Sequence, residues 1–158
     1  GFYVKDSEKK VALVGGGVGI FPLISVIRAY SKTKELYAYM GFRNRAALCM
    51  EYDMMQCHKT VLATDDGSLG YHGTAVQAFM HEYEEVRPDV VLACGPVPML
   101  RALKEAMKGR DVPVYVSLEE RMGCGIGACL VCVCEKTDGA HARVCKDGPV
   151  FPIDDVVL

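Results

Sequence analysis

The sequence has no excess of basic residues: eighteen lysines and arginines face twenty acids, a formal net charge of −2 over 158 residues. No block of like charge interrupts it. A nucleic-acid-binding surface and a charged interaction tail are therefore not expected. The first residues, GFYVKDSEKK, contain no apolar h-region, so no secretory signal is expected there. Residues 11–27 (VALVGGGVGIFPLISVI) are uncharged, yet slightly short for a membrane span, which needs about twenty apolar residues. Glycines and a proline break the run, which reads better as a strand, a tight turn and a helix. His58, His72, His81 and His141 lack metal-ligand spacing and are expected at the surface. With 51% hydrophobic and 24% charged residues, a disordered or collagenous chain is excluded. What remains is a globular, cytoplasmic protein of one domain, or one with a small appendage.

The body of the chain alternates two periodicities. Val11–Val14, Leu36–Phe42, Thr60–Thr64, Asp89–Cys94 and Val112–Leu118 read as five strands. Between them, Ile20, Leu23, Ile24 and Ile27 recur at helical spacing, as do Val76, Phe79, Met80 and Tyr83, and Leu100, Leu103 and Met107. Asn44 is placed to cap a further helix through Ala46, Ala47 and Leu48. Met54, Met55, Met80, Met99 and Met107 are expected to fill the core. Strands alternating with helices predict an α/β fold with a five-stranded, doubly wound parallel sheet. Ligands of such sheets sit beyond the carboxyl ends of the strands.

Those ends carry the candidate binding residues. Gly15, Gly16, Gly17, Val18 and Gly19 let backbone approach a ligand, and the helix that follows offers free N–H groups to phosphate. Pro22 fits its first turn. The loop is not a full G-x-G-x-x-G, and a tight turn in a parallel sheet is the other reading. Arg43 follows the second strand where an acid is usual, a hint of a 2′-phosphate. Asp65 and Asp66, before Gly67, could hold a ribose hydroxyl or make an Asx turn. Cys94 ends the fourth strand before Gly95 and Pro96; on residue chemistry alone it is buried packing.

Cysteine is the residue in surplus, with eight in the chain. Cys49, Cys57 and Cys94 are scattered, whereas five lie within the last thirty-five residues. This divides the sequence into a cysteine-poor part, 1–118, and a cysteine-rich part, 119–158. Without an export signal, clustered cysteines favour a metal site over disulfides. Cys124-x4-Cys129-x2-Cys132, followed by Cys145, has the plant-type 2Fe-2S spacing. Leu130–Lys136 and Ala140–Lys146 predict a hairpin around Thr137-Asp138-Gly139 that returns Cys145, on a strand, to the loop. A zinc site is the alternative, although zinc usually takes two paired C-x2-C knuckles; free thiols are a third. Cys134 is expected as a buried free thiol, and Glu119-Glu120 as a solvated turn.

Taken together, GGGVGIFP (15–22), Gly41-Phe42-Arg43, TDDGS (64–68) and CGPVPM (94–99) resemble the ferredoxin–NADP reductase superfamily. SLEERMGCGIGACLVCVC (117–134) and CKDGPVF (145–151) narrow this to a resemblance to the electron-transfer subunits of two-subunit, NAD-dependent dihydroorotate dehydrogenases. The resemblance covers nearly the whole chain from Val11. It implies an NAD(H)-binding sheet with Gly15–Gly19 at the pyrophosphate, Asp65, Asp66 and Gly67 near the adenosine, and Cys94 and Gly95 near the nicotinamide. It also implies Cys124, Cys129, Cys132 and Cys145 as cluster ligands. A partner subunit carrying FMN, joined in a heterotetramer, would oxidise dihydroorotate in pyrimidine biosynthesis. The family holds most of its FAD on an N-terminal β-barrel, and no R-x-Y-S-type flavin motif stands here, so a fragment is expected. A related reductase type, that of ferredoxin–NADP transhydrogenases and sulfide dehydrogenases, is expected to have Asp in place of the first cysteine, where this chain has Cys124. A zinc-stabilised nucleotide-binding module without redox activity is the reading from another class.

Overall fold

A computed structural model describes all 158 residues. The strands are β1 (Lys10–Gly16), β2 (Glu35–Phe42), β3 (Lys59–Thr64), β4 (Tyr71–His72), β5 (Val90–Cys94), β6 (Val114–Ser117), β7 (Val133–Glu135), β8 (His141–Arg143) and β9 (Val150–Pro152). The helices are α1 (Ile20–Tyr30), α2 (Glu51–Met54), α3 (Ala75–Val86), α4 (Val97–Met107) and α5 (Val144–Asp147). Seven strands form one sheet in the order β4-β3-β2-β1-β5-β6-β9, parallel except for β9.

The apolar runs explain the sheet. Val11–Val14 and Val90–Cys94 are buried on both faces, as central parallel strands must be. Val11 and Leu13 point to one layer with α1 and Met54 of α2; Ala12 and Val14 point to the other, with α3 and α4. The sheet is thus doubly wound, as expected, but has seven strands and not five. β4 is two residues long, too short to show any period. β9 lies in the cysteine-rich part and pairs antiparallel with β6, Val116 opposite Phe151. Its Pro152 is tolerated because β9 is the edge strand.

The segment after β2 departs from expectation. Asn44 does cap, its Oδ1 accepting from the Ala47 N–H at 3.1 Å, but only a single 3-10 turn, Arg45–Ala47, follows. Met50, in the left-handed region at φ 61°, breaks the chain direction before α2. Arg28 on α1 then holds α2 through Asp53 at 2.6 Å. Met54 and Met107 are buried, and Met80 and Met99 are half-buried, but Met55 is 80% exposed. α2 ends after one turn, so Met55 falls outside the packed face. All four histidines are exposed.

In the cysteine-rich part, β7 and β8 form the expected hairpin, with Cys134 opposite Ala142. Cys145 is not on a strand. It sits on the single turn α5, which the Asp147 carboxylate closes by accepting from the Arg143 N–H at 2.8 Å. No helix is long and apolar enough to cross a membrane.

Candidate functional site

The carboxyl ends of β1, β2 and β3 open on a cleft of about 280 Å³. Of the residues singled out in the sequence, Gly16, Gly17, Arg43, Asp65 and Pro96 line it. Gly41, Phe42 and Met99, which belong to the motifs Gly41-Phe42-Arg43 and CGPVPM but were not singled out as site residues, also line it, as do Thr74 and Ala75, which the sequence reading missed. A signal for Thr74 was present: Thr74-x-x-Gln77 is a capping box, and both of its hydrogen bonds form, at 3.2 and 2.9 Å. That box starts α3 at the cleft wall.

The glycines of the first loop do different work. Only Gly17 has positive φ, +55°, and open space around it. A Cβ on Gly15 would lie 2.8 Å from the Met40 sulfur, and one on Gly19 would lie 2.5 Å from the Gly95 Cα. These two let the loop pack onto β2 and onto the end of β5. Val18 is 70% exposed on the turn, and Pro22 is in the first turn of α1; neither borders the cleft. The acid pair divides as well. Asp65 faces the cleft, whereas Asp66 makes the Asx turn, accepting from the Ser68 N–H at 2.9 Å. The Ser68 hydroxyl, and then its N–H, hold the Asp66 carboxyl below its ordinary range. Gly67, at φ +70°, completes the turn. Ser68 in turn accepts from the Arg45 N–H at 2.8 Å, tying this loop to the one carrying Arg43.

Gly95 and Pro96 also border a second cavity of about 310 Å³. Its other wall comes from the cysteine-rich part and its junction: Leu118, Glu119, Glu120, Cys134, Val157 and Leu158. Cys94 is fully buried behind this wall, its Sγ 4.0 Å from Glu119 Oε1. Burial, and then the Glu119 charge, push its thiol up to about 11, so it is protonated at neutral pH. Glu119 and Glu120 are exposed as expected, but on irregular chain and not in a turn, and Glu119 reaches back to Cys94.

Beyond this cavity, residues 121–132 form an irregular loop in which Gly125, Gly127 and Leu130 have φ of 69°, 80° and 59°. These turns aim backbone N–H groups at sulfur. Cys124 Sγ accepts from Ala128 at 3.2 Å and from Cys129 at 3.4 Å. The N–H groups of Ile126, Cys129 and Ala128 pull the Cys124 thiol down to about 6. Cys132 is 2% exposed, and its Sγ accepts from the Cys145 N–H at 3.4 Å. Backbone N–H bonds to sulfur thus join the four cysteines as two pairs, Cys129 to Cys124 and Cys145 to Cys132. No three His, Cys, Asp or Glu side chains gather tightly enough to enclose a single ion. Paired thiolates suit a binuclear cluster, in which each iron takes two. Cys134 turns away into the apolar core and the second cavity, where burial pushes its thiol up.

Comparison with known proteins bears on both regions. Residues 13–105 match the oxidoreductase NAD-binding domain family. Residues 119–157 match the iron-sulfur cluster binding domain of dihydroorotate dehydrogenase B. The chain is 43% identical over 152 residues to the dihydroorotate dehydrogenase B (NAD(+)) electron transfer subunit of Geobacillus thermodenitrificans, covering 94% of this chain and 58% of that one. The Bacillus velezensis subunit of the same name is 40% identical over 163 residues, covering 100% and 62%. The chain thus spans about three fifths of the length of these relatives. Among solved structures, an NADH-dependent reduced ferredoxin–NADP oxidoreductase described for flavin-based electron bifurcation superposes with a TM-score of 0.83 at 29% identity, covering 94% of this chain and 54% of that one.

Proposed function

This chain belongs to the oxidoreductase NAD-binding domain family, and from that premise we propose that it is the electron-transfer unit of an NAD-dependent dihydroorotate dehydrogenase. In this reading residues 1–118 bind the nicotinamide nucleotide and residues 119–158 hold a 2Fe-2S cluster. The partner is an FMN-containing catalytic subunit that oxidises dihydroorotate, joined in a cytoplasmic heterotetramer. When bound, NAD(H) exchanges a hydride, the cluster carries single electrons, and FAD converts one currency into the other.

The chain's own residues position these groups. The backbone of Gly16 and Gly17 and the amino end of α1 receive the pyrophosphate. Asp65 accepts from a ribose hydroxyl and repels a 2′-phosphate, so NADH is favoured over NADPH despite Arg43. Gly95 stands at the nicotinamide end, with Cys94 buried behind it as a neutral thiol. Cys124, Cys129, Cys132 and Cys145 hold the cluster, and backbone N–H groups aimed at Cys124 stabilise its thiolate.

The observation that carries this reading is the second cavity. It is walled by Gly95 and Pro96 on the nucleotide side and by Cys134 and Glu119 on the cluster side. A flavin ring held there would touch both halves and would link the nucleotide side to the cluster side. The test is anaerobic reduction of the iron-loaded protein by NADH, with and without FAD, followed by dihydroorotate with the FMN subunit. Bleaching of the cluster bands that needs FAD supports the proposal; an iron-free chain, or bands indifferent to NADH and FAD together, contradicts it.

The likeness to the ferredoxin–NADP oxidoreductase favours a second reading, a reductase subunit of the transhydrogenase type. Cys124 separates the two, since that type is expected to carry Asp there. Its Sγ sits where two backbone N–H groups converge, as a ligand should.

A further inference from the structure

The four sulfurs come from two separate pieces of chain. Cys124 and Cys129 lie on the loop before β7, and Cys145 lies on α5, beside Cys132. Something must fix the distance between the pieces, because a binuclear cluster tolerates little slack between its thiolates. One side chain spans them. Arg143 donates from Nε to Asp147 Oδ2 at 3.0 Å and from Nη2 to Asp147 Oδ1 at 3.2 Å, a two-pronged contact that fastens it to α5. Its remaining nitrogen, Nη1, donates to the Gly127 carbonyl at 3.1 Å, in the middle of the loop. The stem of Lys146 closes Gly127 from the other side, within 2.6 Å of where a Cβ would stand. Gly127 is therefore clamped to α5 from two directions.

Arg143 stands two residues before Cys145, and the fork to Asp147 holds its guanidinium on the same turn, whose Cys145 N–H donates to Cys132 Sγ at 3.4 Å. The Asp147 carboxylate accepts from it but is directed at the fork, and Lys146 adds a second positive charge on the same turn. The Cys124–Cys129 pair has no such cation in contact; its sulfur is served by backbone N–H groups. A positive charge beside thiolates stabilises the extra electron of a reduced cluster.

We propose that Arg143 is a positioning residue of the cluster site: it locks Gly127 to Asp147, sets the spacing of the two cysteine pairs, and raises the reduction potential through its charge on the turn that carries Cys145. This rests on the cluster reading given above. An Arg is suited to both tasks because its planar fork bonds a carboxylate with two donors and leaves a third free, which a lysine cannot reproduce.

Two substitutions separate the tasks in the iron-loaded protein. Arg143→Lys keeps the charge and loses the fork; Arg143→Gln loses both. Iron release to a chelator is expected to quicken severalfold in both variants. The midpoint potential, from a dye-mediated titration, is expected to fall in Arg143→Gln and to stay near the parent value in Arg143→Lys. NADH binding should match the parent in both, since no residue of the clamp lines the nucleotide cleft. Parent rates and parent potential in Arg143→Gln overturn the proposal. If Arg143→Gln takes up no iron, Arg143→Lys decides: faster release supports the clamp and an unchanged rate overturns it. An unsubstituted protein that binds no iron contradicts the cluster reading itself, a result distinct from either.

Discussion

Cys94 Sγ and Glu119 Oε1 stand 4.0 Å apart, joining the end of β5 to the first residue of the cysteine-rich part. The thiol is buried beside a carboxylate, so both surroundings oppose its ionisation. Burial and Glu119 hold Cys94 protonated up to about 11, and burial does the same for Cys57, against an ordinary value of 9.0.

The two thiols give the fold an alkaline limit. Their folded-state values are raised, so the unfolded chain loses these protons first as pH rises. The contribution is full below pH 9.0 and is lost progressively up to about pH 11. Urea unfolding at pH 8, 9.5 and 11 should show stability falling across this window, and falling less steeply in a Cys57→Ala, Cys94→Ala double variant. An equal fall in both proteins would contradict the assignment.

Gly17 and Gly19 should respond differently to alanine. Gly17 has space for a Cβ but a φ of +55°, so Gly17→Ala costs the left-handed penalty, ~1–2 kcal/mol. Gly19 has an ordinary φ of −63°, but a Cβ there would lie 2.5 Å from the Gly95 Cα, so Gly19→Ala must push the first loop off the end of β5. Overpacking of this kind costs about 1–3 kcal/mol. Because Gly95 borders the second cavity, Gly19→Ala should also weaken FAD binding, which Gly17→Ala should spare. Denaturant titrations and flavin fluorescence report the two effects.

The acid pair makes a sharper test of nucleotide choice. Asp65→Asn removes the charge at the cleft and should narrow the NADH preference over NADPH severalfold in a binding titration. Asp66→Asn keeps an oxygen for the Ser68 N–H and should leave that preference alone. Equal effects from both substitutions would mean that the structure has divided their roles wrongly.

Much of the sheet was legible because β1, β2, β3, β5 and β6 are apolar runs buried by helices whose own periodicity shows. What escaped was held by tertiary pairing. β9 is three residues long with a proline, and becomes a strand only because β6 offers an open edge. The helix expected after Asn44 stops after one turn because Leu48 goes extended, at ψ 135°, and nothing in its residue type announces that. The cysteine spacing singled out the four sulfurs that pair, yet it could not show that Cys145 sits on a helical turn. That turn depends on Asp147 bonding back to Arg143, four residues away. The cleft was half visible: glycines and acids advertise a loop, whereas Ala75 and Met99 border it only because α3 and α4 begin there.

The central claim is that Cys124, Cys129, Cys132 and Cys145, and not Cys134, hold a two-iron cluster. The most direct measurement is iron, sulfide and zinc analysis, with visible spectra before and after dithionite, on anaerobically purified protein and its five single cysteine-to-alanine variants. The account predicts about two irons and two sulfides per chain, with bands that bleach on reduction. It predicts their retention in Cys134→Ala and their loss or marked depletion in the other four. A colourless protein with one zinc, or a cluster lost in Cys134→Ala and kept in Cys145→Ala, would contradict it.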